Sequence, residues 1–253
     1  MITAVILTKN NENGIEATLQ SVSWADDIVI VDDYSTDNTL VRVKKYTQRI
    51  FQRHLADDFS AQRNFGLEKA KHQWVLFIDS DEVVSEELQH EIQETISRKG
   101  TGERGVNGYF IKREDMFFGR TLTHGETGNI KLLRLAKKDS GIWKRPVHEY
   151  WDIHGKTDTL SYPLVHHSHT NVAQFISDIN QYSTMNARFF YMQGVRANLF
   201  TIIAYPLGKF IQNYFLRLGF LDGTPGVVMA TMMSFHSFLT RAKLYLLRNN
   251  QNP

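Results

Sequence analysis

The chain contains no cysteine among its 253 residues. Disulfides, thiolate nucleophiles, Cys-ligated zinc and iron–sulfur clusters are therefore excluded together, and any metal must rest on oxygen or imidazole. The same absence suits a reducing compartment. A basic leader is also missing: the N-terminus reads Met1-Ile2-Thr3-Ala4-Val5-Ile6, so no signal peptide is expected and the cytoplasmic side is the expected location. Long apolar runs are absent too. Leu199 to Leu207 includes Pro206, and Gly226 to Leu239 contains His236. Neither supplies the ~18 to 20 uninterrupted apolar residues of a span, so attachment to a membrane is expected rather than crossing. Prolines number five, hydrophobic residues make up 42% and charged residues 22%, which excludes wholesale disorder, collagen and coiled coil.

What remains is a folded chain with an uneven distribution of charge. The net charge is +2. Residues 171–253 hold seven basic side chains against two acids, a balance of +5, and the rest of the chain carries −3. The same segment holds fourteen of the thirty aromatic residues. This shift predicts a boundary near Thr170, with a domain over 1–170 and a helical, basic, aromatic-rich region over 171–253. Such a region suits an anionic membrane surface or a second subunit, leaving oligomerisation open. Phe210, Tyr214, Phe215 and Leu218 at helical spacing, near Lys209 and Arg217, are the expected membrane face. Nucleic acid is not expected, because no recognition motif accompanies the charge.

The first hundred residues alternate. Apolar runs at 3–8, 28–31 and 74–78 read as buried strands. Between and after them come helical patterns: Ile15, Leu19 and Val22; Leu40 and Val43 behind Ser35-Thr36-Asp37; residues 60–71; and Leu88, Ile92 and Ile96 behind Ser85. Residues 49–52 add a short strand. Continuous apolar strands alternating with helices imply an α/β fold with a mostly parallel sheet covered on both faces. Ligands in such sheets bind beyond the carboxyl ends of the strands. Three ends here are polar: Thr8 to Glu12, Asp32-Asp33, and Asp79 to Glu82.

Several familiar chemistries fail on spacing. Thr8 to Gly14 lacks the glycines of a dinucleotide loop, and Gly155-Lys156-Thr157 would need a glycine where Tyr150 stands. His148-Glu149 would need a second histidine where Asp152 stands, and a receiver-like domain would leave half the chain unexplained. Asp79 and Asp81 are more informative. Two carboxylates two residues apart project to one side if the extended conformation persists, and they repel unless a cation lies between them. A hard divalent ion shared with substrate phosphates is the usual solution.

Four ordered stretches carry a resemblance: Val5-Ile6-Leu7-Thr8-Lys9-Asn10, Ile30-Val31-Asp32-Asp33-Tyr34-Ser35-Thr36-Asp37, Ala61-Gln62-Arg63-Asn64-Phe65-Gly66, and Trp74 through Glu82. Together they resemble the signatures of family 2 glycosyltransferases of GT-A (Rossmann-like) fold. Val147-His148-Glu149, His166-His167-Ser168 and Gly219 through Gly223 resemble more narrowly the bacterial glucosyltransferases that extend the lipopolysaccharide inner core.

The resemblance implies an inverting, metal-dependent transfer of a hexose, glucose from UDP-glucose, onto an inner-core heptose at the inner face of the bacterial inner membrane. It implies that Thr8, Asn10, Glu12 and Asp32 or Asp33 hold the nucleoside, with Arg63 and Asp79 on the diphosphate or sugar. Asp81, Asp79 and His166 would take Mg or Mn. Glu149 would be the base, with Glu126 as its rival. Tyr34 stands where relatives often have glycine. Alternative readings are another cell-surface acceptor, or a non-catalytic sugar-nucleotide-binding or scaffold protein of the same fold.

Overall fold

The computed structural model describes residues 1–97, 105–117, 119–167 and 172–249. Ser168 of the His166-His167-Ser168 stretch and the boundary expected near Thr170 lie outside them. Two compact units divide the chain: Met1–Arg113 with Lys131–His167, and Glu114–Ile130 with Ser168–Pro253.

The first unit opens with β1 (Ile2–Thr8), α1 (Ile15–Ser21), β2 (Asp27–Asp32), α2 (Thr39–Val43), β3 (Ile50–Gln52), α3 (Phe59–Lys69) and β4 (Trp74–Asp79). A turn at Ser80-Asp81 leads into β5 (Glu82–Val84) and α4 (Glu86–Ser97). β6 (Val106–Phe117) begins in this unit and ends in the other, where β7 (Arg120–Leu122) pairs back on it. β8 (Lys131–Lys137), β9 (Gly141–Lys144), β10 (Tyr150–Ile153), β11 (Lys156–Thr159) and β12 (Leu164–His167) complete the first unit.

The sheet order is β3-β2-β1-β4-β8-β6-β12-β5, with β7 and β11 also pairing with β6; it is parallel from β3 to β4 and antiparallel from β4 to β8, from β8 to β6 and from β12 to β5. The mostly parallel sheet predicted from the apolar runs is present, and the antiparallel β8 extends it. Alternation along the strands separates two cores. Ala4, Ile6, Ile28, Ile30, Leu76 and Ile78 meet Ile15 and Leu19 of α1 and Leu88 and Ile92 of α4. On the other face, Val5, Val29, Val31, Val75 and Phe77 meet Leu67 of α3 and the indoles of Trp143 and Trp151. Burying a side chain such as Phe77, 0% exposed, contributes about 1.5–3 kcal/mol. Gly66 lets α3 approach closely, because a Cβ there would lie 2.6 Å from Val5 Cγ1.

Caps set the helix starts. Asp58 accepts from Ala61 N at 2.9 Å, and Ser85 Oγ from Leu88 N at 3.2 Å. At α2 the Ser35-Thr36-Asp37 stretch supplies the capping oxygen as expected, Asp37 Oδ1 accepting from Thr39 N and Oγ1, while Asn38 at the cap position makes no side-chain cap bond.

The second unit contains α5 (Val172–Met192), α6 (Leu199–Ile211), a π-helical turn over Gln212–Leu216, a 3₁₀ turn over Gly219–Asp222, and α7 (Gly223–Asn249). Its core joins Phe117 and Leu122 to Phe175, Ile179, Met229 and Met232. The α-helical C-terminal region expected from the sequence is therefore present. Among the described residues no helix is long and apolar enough to cross a membrane.

Candidate active site

The polar ends of β1, β2 and β4 are tied together. Asp33 N donates to Thr8 O at 3.0 Å, and Asn11 Nδ2 donates to Ser80 O at 2.7 Å. Asn10 and Glu12 reach the loop after β2: Asn10 Oδ1 accepts from Thr36 N at 2.7 Å, and Glu12 Oε2 accepts from Asn38 N at 3.0 Å.

The two aspartates of this loop differ. Asp32 is fully buried, and its carboxylate accepts from Ser35 N, from Ser35 Oγ at 2.5 Å and from Gln52 Nε2 at 2.9 Å. Asp33 accepts from Lys9 Nζ at 2.6 Å and Leu55 N at 3.1 Å, which leaves more of its accepting capacity open. Beside them Thr8 Oγ1 is buried without a hydrogen-bond partner. Tyr34 adopts φ +50°, a left-handed backbone that suits glycine far better than an aromatic residue. This is the physical reason a glycine suits the position; here the ring stacks on His54 with centroids 4.1 Å apart.

At the end of β4 the site becomes a buried ionic cluster. α3 turns Arg63 inward, 3% exposed, so the arginine is not a solvated surface residue. Its Nη2 lies 2.8 Å from Asp79 Oδ1, and its Nε lies 2.8 Å from Glu149 Oε1. The guanidinium carbon sits 4.7 Å from the Trp143 ring centre. The neighbouring Asn64 fixes that ring's strand, donating to Trp143 O at 2.9 Å and accepting from Trp143 N at 2.8 Å. Glu149 is delivered by the loop before β10, where Phe59 N holds Pro146 O at 2.9 Å and His148 takes φ +55°.

Arg134 completes the cluster. Its Nη2 donates to Asp79 Oδ2 at 2.6 Å and to Glu82 Oε1 at 3.0 Å, while Glu82 Oε2 accepts from Asp79 N at 2.8 Å. Burial would raise the Asp79 carboxyl, but the charges of Arg134 and Arg63 outweigh it and hold the group well below the usual carboxylate range. Burial pushes Glu82 up; Arg134 offsets part of this rise and Asp79 adds to it. Burial works against the Arg134 charge, yet Asp79 and Glu82 keep it firmly protonated. Arg63 Nη1 and Arg134 Nε remain buried without partners, two unmet cationic donors in one cluster.

Sequence reasoning missed Arg134 and gave Glu82 no role. A signal existed: Leu132-Leu133-Arg134-Leu135 places a charge inside an apolar strand, and such a residue is rarely buried unless paired. Asp81 lies in the turn after Asp79, so the extended conformation does not persist between them. Its Oδ2 is 3.2 Å from His166 Nε2, and His167 N donates to Asp81 O at 2.9 Å. Glu126 belongs to the second unit, where its carboxylate lies 2.7 Å from Lys209 Nζ and 3.2 Å from Asn213 Nδ2. Nearby in the same unit, Asp222 accepts from His124 N at 2.9 Å and Thr123 Oγ1 at 3.0 Å.

Residues 3–151 match the model of Glycosyl transferase family 2. The chain belongs to that family. The transferase is 30% identical to an uncharacterized glycosyltransferase of Rickettsia bellii, with all of this chain and 88% of the relative covered. It is 26% identical to the lipopolysaccharide core biosynthesis glycosyltransferase LpsC of Rhizobium meliloti, over 96% of this chain and 92% of that one. Among solved structures, glucosyl-3-phosphoglycerate synthase from Mycobacterium tuberculosis in complex with phosphoglyceric acid superposes with a TM-score of 0.51 at 16% identity. That superposition covers 78% of the transferase and 81% of the synthase. The same synthase in complex with Mn2+, uridine diphosphate and phosphoglyceric acid gives a TM-score of 0.50. These likenesses accord with the GT-A fold.

Proposed function

We propose that the transferase moves a hexose, glucose from UDP-glucose, with inversion onto a heptose of the lipopolysaccharide inner core, at the inner face of the bacterial inner membrane. The observation that carries the transfer chemistry is the buried cluster of Arg63, Asp79, Arg134 and Glu82, with two unmet guanidinium donors and Glu149 at its edge. The relation to LpsC supports the acceptor class, and the uridine diphosphate complex of the synthase supports the donor class.

In this reading Thr8 and Asp33 receive the uridine, with Asn10 and Glu12 shaping the loop around it. Asp32 holds that loop from below. Arg63 faces the diphosphate, where a permanently charged fork is useful. Asp79, gripped by both arginines, orients hydroxyls of the ribose or sugar. The acceptor hydroxyl attacks the anomeric carbon, its new C–O bond replacing the bond to the diphosphate oxygen. UDP leaves with that electron pair, and Glu149 takes the acceptor proton. Fixed cationic donors near the departing oxygen stabilise the charge that gathers there.

Asp81 and His166 offer an oxygen and an imidazole nitrogen 3.2 Å apart, a donor set that fits Mg or Mn completed by diphosphate oxygens and water. Asp79 fits less well as a ligand, since its charge is already met by Arg63 and Arg134. Among the described residues no group of three His, Cys, Asp or Glu could hold a metal alone, so the substrate would supply the rest of the sphere. Bound there, the ion would neutralise charge on the leaving diphosphate.

The test is UDP release from a panel of UDP-sugars with Mn or Mg, with and without a lipopolysaccharide-core extract, beside Asp81→Ala. Acceptor-stimulated release that the variant loses is the expected result. Equal activity in the variant removes the metal assignment, and absence of any UDP binding removes the donor reading.

A further inference from the structure

The outward side of α6 is hydrocarbon. Leu199 is 72% exposed, Phe200 75%, Ile203 53%, Leu207 59% and Ile211 50%. At the helical repeat these five fall within an arc of about 120°. The stripe continues into the π-helical turn through Phe215 and Leu216, also exposed. It overlaps the face expected from spacing: Phe215 and Leu218 are exposed, whereas Phe210 and Tyr214 are half-exposed and stack on each other with centroids 5.3 Å apart.

The charged residues that flank the stripe along the chain are basic. α6 contains a single charged residue, Lys209, and its ammonium is held by Glu126 at 2.7 Å. Exposed Arg196 precedes the stripe and exposed Arg217 follows it. No acid occurs between Asp178 and Asp222, and Asp222 is engaged by His124 and Thr123. A contiguous apolar stripe of this kind marks an interaction surface. A second copy seated isologously would bring a surface flanked by Arg196 and Arg217 against itself. An anionic bilayer instead meets the stripe with acyl chains and the arginines with phosphate.

The geometry points to α6 and the π-helical turn as an in-plane anchor on an anionic lipid bilayer, with Leu199, Phe200, Ile203, Leu207, Ile211 and Leu216 at the acyl boundary. This deepens the reading of a membrane-borne acceptor and rests on it only for the choice of leaflet. The anchor lies in the second unit and uses none of the residues assigned to transfer.

The test is co-sedimentation of the full chain with phosphatidylglycerol vesicles and with phosphatidylcholine vesicles, at low and high salt. Ile203→Glu/Leu207→Glu tests the stripe and Arg196→Gln/Arg217→Gln tests the charges, with thermal melts confirming folding. Since both glutamates replace exposed residues, the fold should persist. Expected are binding to phosphatidylglycerol vesicles, a loss of about tenfold or more in the first variant, and a smaller, salt-sensitive loss in the second. Undiminished binding by the folded stripe variant overturns the proposal, as does failure of the unmodified chain to bind vesicles. A dimer in sedimentation velocity that the first variant dissociates, without vesicle binding, assigns the face to a second copy and also overturns it. UDP release on a soluble acceptor fragment is measured in parallel. If it fails for every donor while vesicle binding follows the stripe, the anchor stands and the transfer reading falls.

Discussion

In the first unit Arg63 and Arg134 are each 3% exposed; in the second, Leu199 and Phe200 are 72% and 75% exposed. One unit puts charge where hydrocarbon belongs, and the other does the reverse. Both arrangements cost stability when considered alone, since buried charge loses hydration and exposed hydrocarbon keeps its contact with water. Local rules tend to fail at functional sites, and the readings proposed above assign the two opposite failures to two different kinds of binding.

The strongest challenge to this contrast is to remove the carboxylate proposed as proton acceptor. Glu149→Gln should retain UDP affinity and lose ~10² to 10⁴-fold in transfer rate, measured by acceptor-dependent UDP release. If Glu126→Gln produces that loss instead, the second unit supplies the base and the contrast collapses. Next comes Arg134→Ala, which strands Asp79 and Glu82 beside a single remaining cation. A loss of about 3–5 kcal/mol in denaturant unfolding is expected, as when a buried pair is broken from one side. Adding Glu82→Leu should restore part of it; no restoration would mean that the two side chains do not act as a unit.

A smaller effect is expected in the second unit. Burial raises the Asp222 carboxyl, but its bonds from His124 and Thr123 win and the group titrates below the ordinary value of 3.8. A carboxyl depressed on folding adds stability above its unfolded value, and that contribution disappears as pH falls through the folded value. Thermal melts should therefore show the unmodified chain losing this increment below pH 3.8, while Asp222→Asn is flatter there and about 1–3 kcal/mol weaker at neutral pH. Identical pH profiles would show that the bonds add nothing. The smallest effect is expected at the start of the exposed helix. Asn198 accepts from Thr201 N at 2.9 Å, so Asn198→Ala should cost about 1 kcal/mol without altering transfer on a soluble acceptor.

Much of the first unit was legible because continuous apolar runs such as Val29-Ile30-Val31 and Val75-Leu76-Phe77 can only be buried strands in an alternating chain. The acids at their ends could be read for the same reason. Arg134 was not legible in this way, because its partners lie 52 and 55 residues away in sequence and no local pattern announces a buried cation. On the C-terminal aromatic face, spacing picked out Phe215 and Leu218, which are exposed, but it could not show that Phe210 and Tyr214 stack on each other and lie half-exposed. Likewise, the charge count over 171–253 could not show that Glu114–Ile130, from the middle of the chain, joins the second unit.

That excursion also orders events during synthesis. Phe117 and Leu122 leave the ribosome well before Phe175, Met229 and Met232, the residues that bury them. The β7 hairpin must therefore wait, while β8, made immediately afterwards, can close the sheet against β4 and β6. Domains generally mature as units from the N-terminal side. Here the first unit can finish first, carrying a short apolar hairpin that the rest of the chain has yet to cover, and the helix with the exposed apolar stripe emerges before α7, which completes the core that covers the hairpin.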